Sequence, residues 1–270
     1  MDFKLILTAV IILSVTGAAA ALILAIASKI FSVPVDEKAA AIRECLPGAN
    51  CGACGFSGCD GYAAALSSGE ATDAALCNPG GNDAAKAISE ILGIEASSVK
   101  PVAATVLCRG CDSAAVQKLI YSGVQSCKMA AQAYGGPKEC IYGCLGYGDC
   151  AKACEYGAIS ICEGVARINP SACRACKKCL KTCPKGLIEM MPLEEVKAAV
   201  LCKNHDKGAQ TRKECSAGCI GCMKCVKTCP QGAITINNFC AEVDYEKCTG
   251  CGACHSQCPV GAIDLVDIRA

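Results

Sequence analysis

CRACKKCLKTCPKGLI, residues 173–188, sets thiols at Cys173, Cys176, Cys179 and Cys183 and follows the last with Pro184. Cysteines three apart can converge on one metal. Several such cysteines in a row point to a metal cluster rather than to a covalent staple. The same phrase returns at Cys248, Cys251, Cys254 and Cys258 before Pro259, and a related one opens at Cys219. The chain holds 28 cysteines in 270 residues, which leaves two classes, disulfide scaffold or metal protein. Disulfide scaffolds are mostly short and secreted. This chain is long and its cysteines come in tight groups.

Working outward, the phrase belongs to a longer repeat. Thr105–Asp112 (TVLCRGCD) matches Ala199–Asp206 (AVLCKNHD), and Lys138–Cys144 (KECIYGC) matches Lys213–Cys219 (KECSAGC). Cys150 and Cys154 match Cys225 and Cys229; in both copies the next run begins 19 positions later. The first copy carries extra residues between Cys111 and Lys138, Cys127 among them.

C-x2-C-x2-C-x3-C-P is the bacterial two-cluster ferredoxin run, in which three cysteines hold one cubane and the fourth ligates the other. In the second copy Cys219, Cys222, Cys225 and Cys258 are expected around one cluster, and Cys248, Cys251, Cys254 and Cys229 around its neighbour. Between them GAITINNFCAEVDY reads as two short strands around Asn237-Asn238. The first copy departs from the rule. Tyr147 stands where Cys222 does and Glu155 where Pro230 does. One cluster there takes Cys173, Cys176, Cys179 and Cys154. The other has Cys144, Cys150 and Cys183 and needs a fourth ligand. Cys140 is the nearest candidate, and a three-iron cluster with three ligands is the alternative.

Upstream, LPGANCGACGFSGCDGY with a later LCNPGG supplies Cys51, Cys54, Cys59 and Cys77 amid glycines that let the backbone wrap closely. Gly61–Leu66 and Asp83–Leu92 read as short helices, giving a small helical module around one 4Fe–4S cluster. A four-cysteine zinc site is the rival, but zinc needs neither a glycine cage nor a crossed fourth ligand. These sets use 20 cysteines in five clusters. Cys45, Cys108, Cys111, Cys127, Cys162, Cys202, Cys215 and Cys240 are left. A sixth cluster from Cys108, Cys127, Cys202 and Cys215 is arithmetically open. Cys45, Cys162 and Cys240 read as packing residues.

Leu5–Ala27 is a run of 23 residues without a charge, about 35 Å long as a helix, enough for a single transmembrane pass. Lys29, Lys38 and Arg43 follow it against one Lys4 before it, which places the large domain on the cytoplasmic side of the cell membrane. The expected fold is α+β: a transmembrane helix (1–28), a tether (29–44), a helical cluster domain (45–95), and two tandem ferredoxin-like units (96–192 and 193–270). The tether, with residues 93–104, shows no strong core pattern, so the cluster domains are expected to swing.

A net charge of +1 offers no field for nucleic acid. Trp is absent and large side chains are few, so bound metal must fill core volume and folding must be coupled to loading. No P-loop, dinucleotide fingerprint or paired carboxylates appear; the histidines are His205 and His255, and His255, beside Cys254, is expected to be a solvated loop residue. The chemistry is electron transfer, with the protein setting position and potential.

A membrane helix, then LPGANCGACGFSGC with a distant CNPGG, then paired ferredoxin runs, resembles the B subunit of the Rnf complexes, in the longer form of anaerobic bacteria. The resemblance covers nearly the whole chain. It implies an electron-transfer subunit of an ion-translocating ferredoxin:NAD+ oxidoreductase, meeting soluble ferredoxin and other membrane and flavin- or NAD-binding subunits. The catalytic nicotinamide and ion sites would then lie on those partners. The alternatives are a ferredoxin-like subunit of another membrane enzyme, such as a hydrogenase or dehydrogenase, and a zinc-binding scaffold.

Overall fold

A computed structural model describes residues 3–30, 36–95, 98–193 and 195–266. Helix α1 runs Phe3–Ile30, and its described apolar side chains stand exposed, Leu13 at 71% and Leu24 at 70%. The expected span, Leu5–Ala27, falls partly outside the described side chains, which omit residues 5, 6, 9 and 10 within it. Among the described residues no helix is long and apolar enough to cross a membrane.

The tether reading changes on contact with the structure. Residues 31–35 lie outside the described residues, but helix α2 spans Glu37–Cys45. Asp36 caps it, its carboxylate accepting from Lys38 N at 3.0 Å and Ala39 N at 3.2 Å, which satisfies two orphan donors of the first turn. Ile42 is fully buried in the same core as Tyr62 and Leu66. Alanine-rich sequence had hidden that single anchoring face. Helices α3 (Cys59–Ser68) and α4 (Gly81–Leu92) complete this module. Arg43 pairs with Asp60 at 2.7 Å across α2 and α3, and the Tyr62 hydroxyl donates to the Asp73 carbonyl at 2.7 Å.

Two units of one plan follow. The first contains β1 (Val102–Val106), α5 (Cys127–Gln132), α6 (Asp149–Lys152), β2 (Ile159–Cys162), β3 (Val165–Ile168), α7 (Lys178–Thr182) and β4 (Ile188–Pro192). The second contains β5 (Lys197–Val200), α8 (Gly208–Glu214), α9 (Lys224–Thr228), β6 (Ile234–Asn237), β7 (Cys240–Val243), α10 (Ala253–Ser256) and β8 (Ile263–Val266). In each unit the first and last strands pair antiparallel, Val106 opposite Ile188 and Val200 opposite Ile263. The middle strands form a hairpin, β2 with β3 and β6 with β7. The end of the 93–104 segment, expected to lack core pattern, is therefore part of a strand, with Ala103 and Ala104 buried.

The hairpin turns are Glu163-Gly164 (φ 47° and 70°) and Asn238-Phe239 (φ 44° and 65°). Two successive positive φ values match the twist of the flanking strands. The second turn thus sits one residue later than the Asn237-Asn238 pair suggested. The units share a core of Leu107, Met191, Ala199 and Leu201. Backbone bonds also join them: Arg109 N donates to Leu201 O at 3.0 Å and Ser216 N to Ala114 O at 2.9 Å. Lys203 crosses to Glu189 at 2.7 Å.

Candidate metal centres

Each ferredoxin run begins in a loop and ends on a short helix, so its cysteines wrap a small volume. Two residues before the third cysteine the backbone turns left-handed, at Gly148, Lys177, Met223 and Gly252 (φ 77°, 61°, 62° and 76°). For Lys177 and Met223 that conformation costs roughly 1–2 kcal/mol. Its return is geometric, since it folds the loop back and turns its amides inward.

Four cavities are each lined by four cysteines. Cys154, Cys173, Cys176 and Cys179 surround about 350 Å³. Cys219, Cys222, Cys225 and Cys258 surround about 330 Å³. A third cavity of about 360 Å³ is lined by Cys127, Cys144, Cys150 and Cys183. The fourth, about 390 Å³, is lined by Cys108, Cys140, Cys202 and Cys215.

The first two gather the cysteines that ferredoxin spacing grouped. The last two exchange one member against expectation. Cys127, which the sequence suggested for a sixth set, joins Cys144, Cys150 and Cys183, and Cys140 joins Cys108, Cys202 and Cys215. The cause is chain direction. Isolated bridges pair Gln117 with Lys138 and Ala115 with Cys215, which draw the KEC segment toward the second unit. Meanwhile α5, inside the segment peculiar to the first unit, starts at Cys127, and the Ser126 hydroxyl donates to Asp149 Oδ2 at 2.8 Å. That bond holds Cys127 beside α6, which carries Cys150. Tyr147, in place of a cysteine, packs against Tyr121 with ring centroids 5.5 Å apart. Glu155, in place of a proline, pairs with Lys178.

The other expected sets are placed by their surroundings. Cys77 lies within electrostatic reach of Cys59, Cys54 and Cys51, and Cys59, Cys77 and Cys54 share one core. Cys254 lies within reach of Cys248 and Cys229, whereas Cys251 is exposed. The helical module reaches the first unit through Lys177 Nζ, which donates to Ala53 O at 3.1 Å, and Cys176 feels the charge of Cys51. Of the three expected packing residues, Cys240 is fully buried and Cys45 packs against the helical core. Cys162 is exposed at the end of β2, because the strand's outer face meets solvent there. His205 is half-buried and stands edge-on to Tyr142, while His255 Nδ1 lies 2.8 Å from Ile263 O.

Donor chemistry fits a cluster with body. Among the described residues no three of His, Cys, Asp and Glu close to the spacing of a single ion. Zinc draws its four thiolates to about 2.3 Å from one point, a closure the described cysteines do not make. Amide donors aim at sulfur: Ala104 N and Ala175 N to Cys173 Sγ at 3.5 Å each, Ala233 N to Cys229 Sγ at 3.3 Å, Ala262 N to Cys258 Sγ at 3.2 Å. Such bonds set the potential of a bound iron–sulfur cluster. Burial pushes the Cys140 thiol up to about 11 and the Cys150 thiol up to about 12, so these groups become thiolates only when metal supplies the opposing charge. Cys202 and Cys219 are held low, first by hydrogen bonding with Cys240, whose own thiol is raised by the same contacts.

Comparison with known proteins follows the same sites. An Fe-S cluster family model matches residues 46–79, a 4Fe-4S binding domain matches residues 170–186, and a 4Fe-4S dicluster domain matches residues 218–262. The B subunit of the Na(+)-translocating ferredoxin:NAD(+) oxidoreductase complex of Acetobacterium woodii is 45% identical over 90% of this chain and 72% of that protein. The B subunit of the ion-translocating oxidoreductase complex of Methanosarcina acetivorans is 40% identical over 90% of this chain and 92% of its own. The B subunit of the proton-translocating ferredoxin:NAD(+) oxidoreductase complex of Clostridium ljungdahlii is 36% identical over 87% and 82%. With several cubane sites along one chain and relatives of this closeness over most of both lengths, the chain belongs to the B-subunit family of the ion-translocating Rnf oxidoreductase complexes.

Proposed function

We propose that the chain is the multi-cluster electron-transfer subunit of an ion-translocating ferredoxin:NAD+ oxidoreductase, receiving or returning electrons at soluble ferredoxin and exchanging them with the complex's membrane and flavin- or NAD-binding subunits. The observation that carries this reading is the string of cavities, each lined by four cysteines and lying in adjoining units of one chain. A bound cubane supplies reversible one-electron exchange. The proposed ligand sets are Cys51, Cys54, Cys59 and Cys77; Cys154, Cys173, Cys176 and Cys179; Cys127, Cys144, Cys150 and Cys183; Cys219, Cys222, Cys225 and Cys258; and Cys229, Cys248, Cys251 and Cys254.

The protein's part is to hold thiolates, donate amides to them and exclude water. Cysteines at 108, 140, 150, 176, 179, 219, 225, 248 and 254 are all buried. Lys177 fixes the Cys51 loop beside Cys176, so the helical module and the first unit present neighbouring sites. Leu5–Ala27 supports a single pass through the cytoplasmic membrane, since the run carries no charge and sits within the 28-residue helix α1. The excess of lysine and arginine after it supports a cytoplasmic cluster domain.

The test is anoxic purification of the full chain, a count of iron and acid-labile sulfide, and addition of reduced ferredoxin with EPR detection. At least about 20 iron atoms per chain, four per cubane over five sets, with rapid reduction, is the expected result. Stoichiometric zinc and little iron would reject it. Full iron that ferredoxin does not reduce would assign the chain to a different electron donor.

A further inference from the structure

We propose that the fourth cavity, on the seam between the two units, is a sixth centre: an iron–sulfur cluster held half by each copy, through Cys108 and Cys140 from the first and Cys202 and Cys215 from the second. The inference rests on reading the other cysteine-lined cavities as cluster sites, and it assigns a site that none of the matched domains covers, since they span 46–79, 170–186 and 218–262.

Symmetry of origin is the first argument. Cys108 and Cys202 occupy equivalent positions of the repeat, as do Cys140 and Cys215. The seam therefore takes the same two thiols from each copy. Its volume, about 390 Å³, is that of the ferredoxin-run cavities at about 330 to 360 Å³.

Hydrogen bonding is the second. Three nitrogens aim at the seam sulfurs: Cys144 N to Cys108 Sγ at 3.3 Å, Asn204 N to Cys202 Sγ at 3.4 Å, and Asn204 Nδ2 to Cys140 Sγ at 3.5 Å. Asn204 is 1% exposed and also donates to Glu214 Oε2 at 2.8 Å. This is the amide-to-sulfur pattern of the other sites, here partly from a buried side chain.

Charge is the third. Lys138 lines the cavity at 2% exposure. Its ammonium donates to Gly110 O at 2.8 Å and Gly164 O at 2.9 Å, and among the described residues it forms no ion pair. Its repeat equivalent, Lys213, is exposed. A buried cation without a carboxylate needs a negative partner. A cubane on four thiolates carries net negative charge and would stand beside it.

Position gives the site a use. Cys144, whose thiol lines the neighbouring cavity of the first unit, donates its amide to Cys108. On the other side buried Cys240 contacts both Cys202 and Cys219. The seam centre thus lies between a ligand of the first unit and a ligand of the second.

The test is metal stoichiometry of the full chain, anoxically purified, beside the double variant Cys108→Ala/Cys202→Ala. The expected wild-type content is about 24 iron atoms with matching sulfide, and the variant loses about four of each while keeping the remaining spectra. About 20 iron atoms in both proteins would overturn the sixth centre and leave the electron-transfer reading intact. One zinc per chain lost by the variant, with iron unchanged, would overturn its iron–sulfur character. Little iron in the wild type would sink the functional reading itself. Should the double variant lose all its iron, the wild-type count alone decides between about 24 and about 20.

Discussion

The two ferredoxin-like units are copies that solve one problem differently. In the second, Cys222 stands in the run beside Cys219 and Cys225, and all three line a cavity with Cys258. In the first, Tyr147 takes that place, and the fourth cysteine lining the cavity is Cys127 of α5. A cluster asks for four sulfurs around a volume, and the chain is free to fetch one from outside the motif. The reverse contrast lies at Cys240 of β7. Its counterpart, the first residue of β3, is Val165, equally buried. Only the second unit places a thiol against Cys219.

Removing the metal erases the comparison altogether. Oxidation followed by chelation is expected to unfold both units together, because cysteines supply much of their cores and structural metal binding is folding free energy. Circular dichroism on the demetallated chain checks this; two independent transitions would separate the units.

Cys127→Ala breaks the comparison on one side, at an expected loss of about four iron atoms. Adding Tyr147→Cys should restore them, by giving the first unit the second unit's run. The same addition should do nothing for Cys140→Ala. Rescue of Cys140→Ala instead would make Cys140 the fourth ligand after all.

Loading should also depend on pH, more steeply in the first unit than at Cys219. Below about 11 and about 12 the metal-free Cys140 and Cys150 thiols keep their protons, so ligation must expel them. Reconstitution should strengthen as pH rises from about 6 to about 8, up to tenfold per pH unit for each proton released. Proton release in weak buffer measures it; a pH-independent affinity would show thiols already ionised.

The mildest change is Cys240→Val, which gives the second unit the first unit's residue. Iron content should hold, while loss of the thiol that hydrogen-bonds with Cys219 lowers the potential. At about 1 kcal/mol per hydrogen bond the shift is about 40 mV for one electron, readable by EPR redox titration. An unchanged potential would reduce Cys240 to packing.

Spacing made most of the cysteine groupings legible, since Cys173 to Cys183 and Cys248 to Cys258 each lie within one loop and one turn of helix. That Cys127 lines the first unit's cavity was hidden because nearness in sequence favoured Cys140, four residues before Cys144. Bridges at Ala115 and Gln117 turn that segment away, and no local pattern reports a bridge. A signal did exist: Cys140 has a repeat equivalent and Cys127 has none, so the pair shared by both copies belonged together. Helix α2 was lost for another reason. Its burial rests mainly on Ile42, and one apolar side chain among alanines makes no periodicity.

The seam has a consequence for ancestry. Each unit contributes two cysteines to the cavity on the seam. If the proposed sixth centre holds, two copies complete one ligand set there, and the forerunner is most simply a homodimer that shared one metal centre. Duplication and fusion turn an association that depends on concentration into a tethered one. Once tethered, the halves need no longer be alike, and each can diverge where the other does not: one takes in α5, the other places a sulfur at position 240.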